Sequence, residues 1–379
     1  MTALRLALVH PFHWADVARG GERYVADLAW WMTRRGHSVD VITGTNEAAS
    51  VDVEDGFTVR RVKHVMPERL RRRRLSVVET FGWAAFAPLR RQRYDVVHAM
   101  TPTAAMASRL AGQRTLLTAL GHPTPEMFGH RPFDRSIARL AMRMATQTAA
   151  FSDASAAQVR AMLHTDCIVL PLGVRRDDFV PDLAARTGPP RLLFAGFPGA
   201  LRKGVDLALS AMPHVLDLHP DARLVLPGDA GQHERFHSLL GADKERVLAA
   251  VDDIGVQPME AMPALYRSAT VSLLPAKWEA LGISLVESLA CGTPAVCADD
   301  GGMPSIVSDP RVGVVVRAND PAALAAGLLE AITLARQPET PGLCAEHARR
   351  WDWDDTVGPL HEAAYERLAT RRRRKTSRG

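Results

Sequence analysis

Residues 271–292 have the sequence VSLLPAKWEALGISLVESLACG, which reads as a strand, a loop and a helix in turn. Residues 271–274 form a short apolar run, which predicts a buried strand. Apolar side chains at helical spacing follow the loop, and Gly292 with Pro294 beyond it marks the end of the helix. The segment therefore predicts one repeating unit of a parallel α/β sheet.

Two glutamates flank the start of this predicted helix. Glu279 precedes the helix and Glu287 lies about one turn inside it, so the carboxylates are spaced to bracket an extended ligand rather than to share one proton. Gly282, Ile283 and Ser284 lie at the helix N-terminus, where unpaired amides and the positive end of the helix dipole favour a phosphate group. The pattern predicts a site for an extended ligand that carries phosphate.

The same alternation of strands and helices continues along the chain in two series. Before the turn-rich linker at residues 186–190, strands are predicted at residues 4–9, 38–43, 95–98 and 115–120. After the linker, strands are predicted at residues 192–195, 224–227, 271–274 and 295–298. This alternation predicts an α/β fold with doubly wound parallel sheets and ligands at the carboxyl ends of the strands. Two such Rossmann-like halves predict a cleft between them.

Composition excludes several functional classes. The chain has 379 residues, enough for two domains, and a formal charge of +5 from 47 basic and 42 acidic residues. Six of the basic residues fall in the last nine positions, so the folded body is close to neutral and nucleic-acid binding is not indicated. Four cysteines show no disulfide or zinc spacing. We find no signal peptide and no apolar run that would span a membrane, and therefore expect a cytoplasmic protein.

A glycine-bounded segment at residues 199–204, GALRKG, only superficially suggests a phosphate loop. Val205 stands where a Walker loop needs lysine, so a nucleoside-triphosphate hydrolase is not indicated. The G-x-G-x-x-G motif does not follow either candidate first strand, which disfavours a nicotinamide dehydrogenase. Arg202 and Lys203 follow a predicted strand end, where two cations suit a diphosphate whose charge they neutralise as the bond to it breaks.

These motifs together resemble family 4 of the retaining glycosyltransferases, which have the GT-B fold. Glu279 and Glu287 match the E-x7-E pattern of that family, and the resemblance covers residues 4 to about 365. Further matches are residues 20–23 (GGER), 35–39 (RGHSV), 95–98 (DVVH), 171–174 (PLGV), 194–196 (FAG), 202–204 (RKG), 265–269 (LYRSA), 288–296 (SLACGTPAV) and 301–304 (GGMP). The chain departs from the pattern at Met100, Phe197 and Ser305. These departures leave the details of donor-sugar and acceptor recognition open.

The resemblance implies a division of the chain into four parts. Residues 1–170 would form a Rossmann-like acceptor-binding domain, and residues 171–355 a Rossmann-like domain that binds a nucleotide sugar. Residues 356–370 would form a terminal helix that packs back on the first domain, and residues 371–379 a basic tail. The two domains would face each other across a cleft.

The resemblance also implies a reaction. A retaining, hexosyltransferase-like enzyme would move a sugar from a nucleoside-diphosphate sugar, with a UDP- or GDP-sugar as the expected donor, to an acceptor hydroxyl. Neither a metal nor a further cofactor would be required, because cations and helix amides can stabilise the leaving diphosphate. The acceptor would be a glycan, a lipid or a natural product.

Individual residues carry over from the family by position. Glu287 would accept hydrogen bonds from the ribose hydroxyls, and Glu279 would contact the sugar hydroxyls. His122 matches the position of a cleft histidine in similar enzymes, while Arg202 and Lys203 would hold the diphosphate. The expected catalytic residues are Glu279, His122, Arg202 and Lys203. The expected donor-binding residues are Gly20, Gly21, Arg202, Lys203, Glu279, Gly282, Ile283, Ser284 and Glu287.

Other functions stay open from the sequence. A sugar-nucleotide epimerase, a glycan phosphorylase and a catalytically silent sugar-nucleotide-binding partner all fit two Rossmann-like halves. A phosphorylase that uses pyridoxal phosphate needs a Schiff-base lysine, and none of the lysines is an evident candidate. Residues 352–354, DWD, spell the metal-binding D-x-D motif, but their place at the start of the terminal helix favours a capping role.

Two basic clusters allow two interpretations. They lie at residues 71–74 and 371–374, and Phe81, Trp83 and Phe86 follow the first. The clusters could give peripheral contact with the anionic inner face of a membrane. Alternatively, the first is a solvated loop followed by a core helix.

Overall fold

The computed structural model describes residues 3–14, 16–17, 20–65, 77–129, 132–183, 188–228, 231 and 233–376. Its contacts divide the chain into two compact units. Unit 1 contains Met1–Gly173 and Trp353–Gly379, and unit 2 contains Val174–Asp352. The chain thus leaves unit 1, builds unit 2 and returns to unit 1 for its last segment.

Unit 1 is built on an eight-stranded sheet. Its elements are β1 Arg5–Val9, α1 Gly20–Arg34, β2 Ser38–Thr45, β3 Ser50–Glu54, β4 Phe57–Lys63, α2 Val77–Arg91, β5 Val96–Ala99, α3 Pro102–Leu110, β6 Thr115–Ala119, α4 Pro125–Gly129, α5 Pro132–Met144, β7 Gln147–Ala150, α6 Asp153–Leu163 and β8 Ile168–Val169. The strand order is β3-β4-β2-β1-β5-β6-β7-β8. The pairing of β3 with β4 is antiparallel, whereas the other pairings are parallel, as the alternation of strands and helices predicts.

Unit 2 is built on a six-stranded parallel sheet in the order β11-β10-β9-β12-β13-β14. Its strands are β9 Arg191–Phe194, β10 Arg223–Pro227, β11 Val251–Gly255, β12 Val271–Leu274, β13 Ala295–Ala298 and β14 Gly313–Val316. Its α-helices are α7 Val205–Leu218, α8 Lys244–Ala249, α9 Met262–Ser268, α10 Ile283–Ala290, α11 Met303–Ile306, α12 Pro321–Ala335 and α13 Thr340–Ala348. Short 3₁₀ segments cover Leu201–Lys203, Glu234–Asp243, Met259–Ala261 and Arg349–Trp351.

Both sheets bury the apolar runs from which they were predicted. In unit 1, Val9, Ile42 and Val97 are fully buried in the core beside the sheet. In unit 2, Leu192 and Leu273 are equally buried, and helices α7 and α12 pack against that core. The α/β class and the two Rossmann-like sheets predicted from the sequence are therefore confirmed.

The last segment of the chain belongs to unit 1. A π-helical turn, Trp353–Val357, leads into α14 Gly358–Thr376, so the terminal helix extends beyond the residue 370 expected from the sequence. Gly358 lets the helix approach closely, because a Cβ there would lie 2.1 Å from Cε2 of Trp31. The absence of that side chain therefore allows α14 to lie directly against α1.

Buried polar side chains fix the position of α14. The Tyr24 hydroxyl lies 2.8 Å from Nε2 of His361, and Nδ1 of His98 lies 2.7 Å from the Tyr365 hydroxyl. Nδ1 of His361 donates to the Val357 carbonyl at 2.8 Å, which leaves Nε2 to accept from Tyr24. Polar groups buried this deeply need such partners, so the network specifies one position of the helix.

None of the helices among the described residues combines the length and the apolar character needed to cross a bilayer.

Candidate functional site

A glycine brings the two cationic side chains that are predicted to bind the diphosphate close to the segment that carries Glu279. Arg202 and Lys203 lie on the 3₁₀ turn Leu201–Lys203, and Gly204 ends this turn with φ +79°. A Cβ on Gly204 would lie 2.2 Å from the carbonyl oxygen of Pro275, which follows β12. The amide of Lys277 also donates to the Arg202 carbonyl at 2.7 Å. The turn is therefore held against the loop after β12.

Three of the four charged residues predicted to bind the donor meet in one cluster at this loop. Nη1 of Arg202 lies 3.0 Å and Nζ of Lys203 lies 2.6 Å from the same oxygen, Oε2 of Glu279. The side chain of Lys203 is 17% exposed and that of Glu279 15%, whereas that of Arg202 is 47% exposed. Lys203 is thus the inner cation and Arg202 the outer one.

The cluster keeps Glu279 ionised. Burial alone would raise the pKa of the Glu279 carboxyl, but the charges of Lys203 and then Arg202 outweigh burial and lower this pKa below its ordinary value. One carboxylate faces two cations, so the group carries one positive charge in excess at neutral pH. Such an excess suits an anionic ligand.

The backbone on both sides of Glu279 is clamped by residues 300–302. The amide of Gly302 donates to the Glu279 carbonyl at 2.9 Å, and a Cβ on Gly301, where φ is +59°, would lie 2.0 Å from that carbonyl oxygen. The amide of Trp278 donates to Oδ1 of Asp300 at 2.7 Å. Trp278 has φ +56°, a conformation that a bulky residue rarely adopts, so this clamp holds a strained segment next to Glu279.

The helix N-terminus expected from the sequence is present. Gly282 precedes α10 with φ +95°, and Ile283 and Ser284 supply the first helical amides. Amides of a first helical turn have no partner within the helix, which makes this terminus suitable for a phosphate group. The terminus lies three residues after Glu279 in the chain, on the same connection between β12 and α10.

Glu287 lies inside α10 and is only 4% exposed. The Tyr266 hydroxyl donates to its Oε2 at 2.8 Å. Tyr266 is in turn fixed by the Thr293 hydroxyl, which donates to the Tyr266 carbonyl at 2.6 Å. The structure thus places Glu287 in a supported, buried position, separate from the pair of cations that contact Glu279.

Sequence reasoning missed the residues that position the site. Tyr266 belongs to a segment that matched the family pattern, but its hydrogen bond to Glu287 joins positions 21 residues apart. The Asp300 carboxylate accepts from the Trp278 amide, and Trp278 adopts a positive φ; neither feature has a direct signal in the sequence apart from the adjacent pair Gly301 and Gly302.

The remaining predicted site residues belong to unit 1. Gly20 and Gly21 begin α1, and a Cβ on Gly21 would make ordinary contacts, 3.5 Å from Cδ1 of Leu120 and 3.8 Å from Nε2 of His10. His122 is partly buried, with Nδ1 3.3 Å from the Ser155 hydroxyl. These three residues are therefore not part of the charged cluster, and their roles in ligand binding stay predictions.

The aromatic segment after the first basic cluster divides between core and surface. Phe81 is fully buried, as a core helix requires, whereas Trp83 on the same helix is 70% exposed. The cluster at residues 71–74 lies outside the described residues, and the side chains of residues 371–374 do as well. The D-x-D motif is engaged within the protein: the Trp31 indole donates to Oδ1 of Asp354 at 3.0 Å.

Comparison with known proteins identifies the class. Residues 19–173 match the family model described as glycosyl transferase 4-like domain, and residues 176–351 match the one described as glycosyl transferases group 1. The chain belongs to glycosyltransferase family 4.

Particular relatives cover almost the whole chain. The phosphatidyl-myo-inositol mannosyltransferase of Mycobacterium tuberculosis is 30% identical, over 97% of this chain and 97% of its own. The D-inositol 3-phosphate glycosyltransferase of Nocardiopsis dassonvillei is 30% identical, over 90% of this chain and 88% of its own. The solved sucrose-phosphate synthase of Thermosynechococcus elongatus, 19% identical, superposes with a TM-score of 0.79 over 97% of this chain and 100% of its own. That likeness supports the GT-B fold.

Proposed function

We propose that the protein transfers a hexosyl group from a nucleoside-diphosphate sugar to an acceptor hydroxyl with retention of configuration and without a metal ion. The observation that carries this proposal is the cluster of Arg202, Lys203 and Glu279 beside the N-terminus of α10. It combines a surplus positive charge with unpaired helix amides, and both features favour a diphosphate.

The charges suggest which residues contact each part of the donor. The diphosphate would lie against Lys203, Arg202 and the amides of Ile283 and Ser284, while Glu279 would turn to the hydroxyls of the transferred sugar. Glu287, already oriented by Tyr266, would accept hydrogen bonds from the ribose hydroxyls. Family resemblance supports a UDP- or GDP-sugar as the donor.

The reaction would break the bond between the anomeric carbon and the diphosphate oxygen, whose electron pair leaves with the diphosphate. Negative charge on the diphosphate grows in the transition state, so fixed cations and amides accelerate this step more than they strengthen ground-state binding. The acceptor hydroxyl would attack from the face that the diphosphate leaves, which retains the configuration. Its proton would pass to a phosphate oxygen of the leaving group, so the charge is balanced without a protein base.

The acceptor would bind residues of unit 1, where His122 is expected to contribute, while Gly20 and Gly21 are expected to contact the donor. The two relatives are named for a phosphorylated and a lipid-linked inositol, which supports a hydroxyl acceptor in this chain as well. A glycan, a lipid and a natural product are the acceptor classes under consideration.

A donor screen followed by product analysis tests the proposal. Thermal shifts are recorded with UDP, GDP and ADP and their sugars, and any donor that stabilises the protein is incubated with an acceptor panel in EDTA. The expected result is release of the nucleoside diphosphate and, by NMR, a product with the anomeric configuration of the donor. An altered sugar nucleotide without transfer would instead indicate an epimerase, and donor binding without turnover a silent partner.

We further propose peripheral membrane contact through the basic clusters at residues 71–74 and 371–374, at the cytoplasmic face. The exposed Trp83 on α2 and the charge of these clusters support it. Binding to vesicles should require anionic lipid and weaken with salt, because exposed charges are screened within about 8 Å at physiological ionic strength. Retention of binding after both clusters are neutralised would contradict the proposal.

A further inference from the structure

Unit 1 contains a cavity of about 440 Å³ that the charged cluster does not use. It lies where β1, β5 and β6 end, and its walls include Phe12, Met100 and Leu120 from the connections after these strands. In open α/β sheets, ligands bind at the carboxyl ends of the strands. Its volume falls in the range of about 300 to 1,000 Å³ that is typical of small-molecule sites.

The walls of the cavity are mainly apolar. Helix α5 contributes Ile137, Ala138 and Met142, and α6 contributes Leu163. Apolar walls favour alkyl or aryl groups, because burying such surface removes it from water. Among the described residues that border the cavity, we find neither a lysine nor an arginine. A phosphorylated ligand would therefore lack a cation from these residues.

The carboxylates of Glu22 and Asp134 border this cavity, and Glu22 is the more deeply buried of the two. It lies in the first turn of α1, borders the cavity and is only 5% exposed. Its carboxylate has no hydrogen bond or ion pair to another residue in the described part of the chain. The Glu22 side chain has little access to water and no partner among these residues that would neutralise it, so a hydroxyl that donates to Glu22 would be favoured and a second anion would be repelled.

We propose that this cavity binds the acceptor, and that the acceptor is an uncharged amphipathic alcohol. Its alkyl or aryl part fills the apolar space, and a hydroxyl donates to Glu22. This assignment rests on the transferase function proposed above and narrows its acceptor class. It also separates this chain from the relative named for D-inositol 3-phosphate, whose named acceptor carries the phosphate that Glu22 disfavours.

Binding of an acceptor series tests the proposal without relying on turnover. Affinities of n-alkyl β-glucosides from methyl to nonyl are measured by calorimetry on the full chain, with D-inositol 3-phosphate as the anionic probe. We expect affinity to rise about fourfold per methylene until the cavity is filled, as the transfer of a methylene from water predicts. D-inositol 3-phosphate should bind at least tenfold more weakly than the octyl glucoside.

Matched variants show where the alkyl chain binds. Ala138→Phe adds bulk at the cavity wall, whereas Leu140→Phe adds it on the same helix at a position 49% exposed. Only Ala138→Phe should abolish the dependence on chain length, and the thermal unfolding midpoint of each variant confirms that it is folded. Glu22→Gln leaves the volume unchanged and should weaken every glucoside about fivefold, because a charged acceptor is replaced by a neutral one.

The outcomes separate this proposal from the transferase function. Three results would overturn the acceptor assignment, even if the donor is turned over. They are an affinity that does not change with alkyl chain length, equal effects of the two phenylalanine variants, and tighter binding of D-inositol 3-phosphate than of the glucosides. If alkyl glucosides bind as expected but no nucleotide sugar does, the cavity is an amphiphile site and the transferase function is contradicted instead.

Discussion

The two units carry similar parallel sheets but opposite chemistry at their candidate sites. In unit 2, Arg202, Lys203 and Glu279 form a charged cluster with one positive charge in excess, next to a helix N-terminus. In unit 1, the cavity near the strand ends is apolar and its buried Glu22 has no cationic partner among the described residues. The shared fold therefore does not determine the ligand, which depends on the connections that follow the strands.

The units also differ in how their polar groups are supported. In unit 2, two glycines with positive φ allow close backbone contacts near Glu279: Gly204 lies against Pro275, and Gly301 lies against Glu279 itself. Unit 1 uses a buried network of His98, His361 and Tyr365 to hold its terminal helix. The first device fixes a site, and the second fixes an element of the fold.

Replacing the close-packed glycine should have the largest effect. Gly301→Ala would put a Cβ 2.0 Å from the Glu279 carbonyl oxygen, so we expect at least a 100-fold loss of turnover and about 3 kcal/mol of lost stability. Gly241→Ala is the control, because φ there is also positive, +53°, but the new Cβ would meet nothing within 4 Å. Urea unfolding and initial rates measure both, and similar losses in the two variants would exclude the clamp.

Acid should destabilise unit 1 through its buried histidines. Burial lowers the pKa of His361 from 6.5 to about 4, so the unfolded chain binds this proton more readily than the folded one. The contribution of neutral His361 to the free energy of unfolding is then complete above pH 6.5. It falls by up to roughly 3 kcal/mol as the pH drops towards 4. Burial, with a smaller effect from His361, also lowers the pKa of His98.

Hydrogen exchange at pH 7 and pH 5 measures this difference between the units. Amides of unit 1 should lose protection at pH 5 more than amides of unit 2. His361→Gln should reduce the pH dependence, whereas His214→Gln, at an exposed position of unit 2, should leave it unchanged. Equal loss of protection in both units would contradict the role of the buried histidines.

Removing Glu287 should weaken donor binding more than it slows the reaction. Glu287→Ala removes the charged acceptor proposed for the ribose, a bond worth about 1.5 to 3 kcal/mol, so the donor Kd should rise about 10- to 150-fold. Calorimetry with the nucleoside diphosphate checks this. An unchanged Kd in the folded variant would remove the ribose assignment.

Removing the support of Glu287 should have the smallest effect. Tyr266→Phe deletes only the hydroxyl that donates to Oε2 of Glu287, so donor affinity should fall about fivefold, equivalent to ~1 kcal/mol. The same titration measures it. A loss as large as that of Glu287→Ala would mean that Tyr266 contacts the donor itself.

The sequence predicted the fold best where apolar runs were short and uninterrupted. β12 and β13 have the predicted bounds, because residues 271–274 and 295–298 are buried throughout. The edge hairpin of β3 and β4 was missed, since Val51 and Val53 of β3 are 60% and 75% exposed and alternate with acidic residues, and the adjacent Arg60 and Arg61 interrupt the apolar pattern of β4. An exposed edge has no apolar pattern to mark it.

The candidate site was predicted as separate residues rather than as one cluster. Arg202, Lys203 and Glu279 were each named from their place at a strand or helix end, but their common hydrogen bonds depend on the approach of Gly204 to Pro275. This contact joins segments about 70 residues apart in the chain. Burial and strain, as in Glu287 and Trp278, arise only from such tertiary contacts.

The most direct test of the transferase account is the donor Kd and kcat of Lys203→Met, measured in EDTA. Lys244→Met, at an exposed lysine of unit 2, is the control. We expect kcat to fall about 100- to 1,000-fold while Kd changes less than about tenfold, because the ammonium acts mainly on charge that develops in the transition state. Equal losses in Kd and kcat, or wild-type activity that EDTA abolishes and magnesium restores, would contradict it.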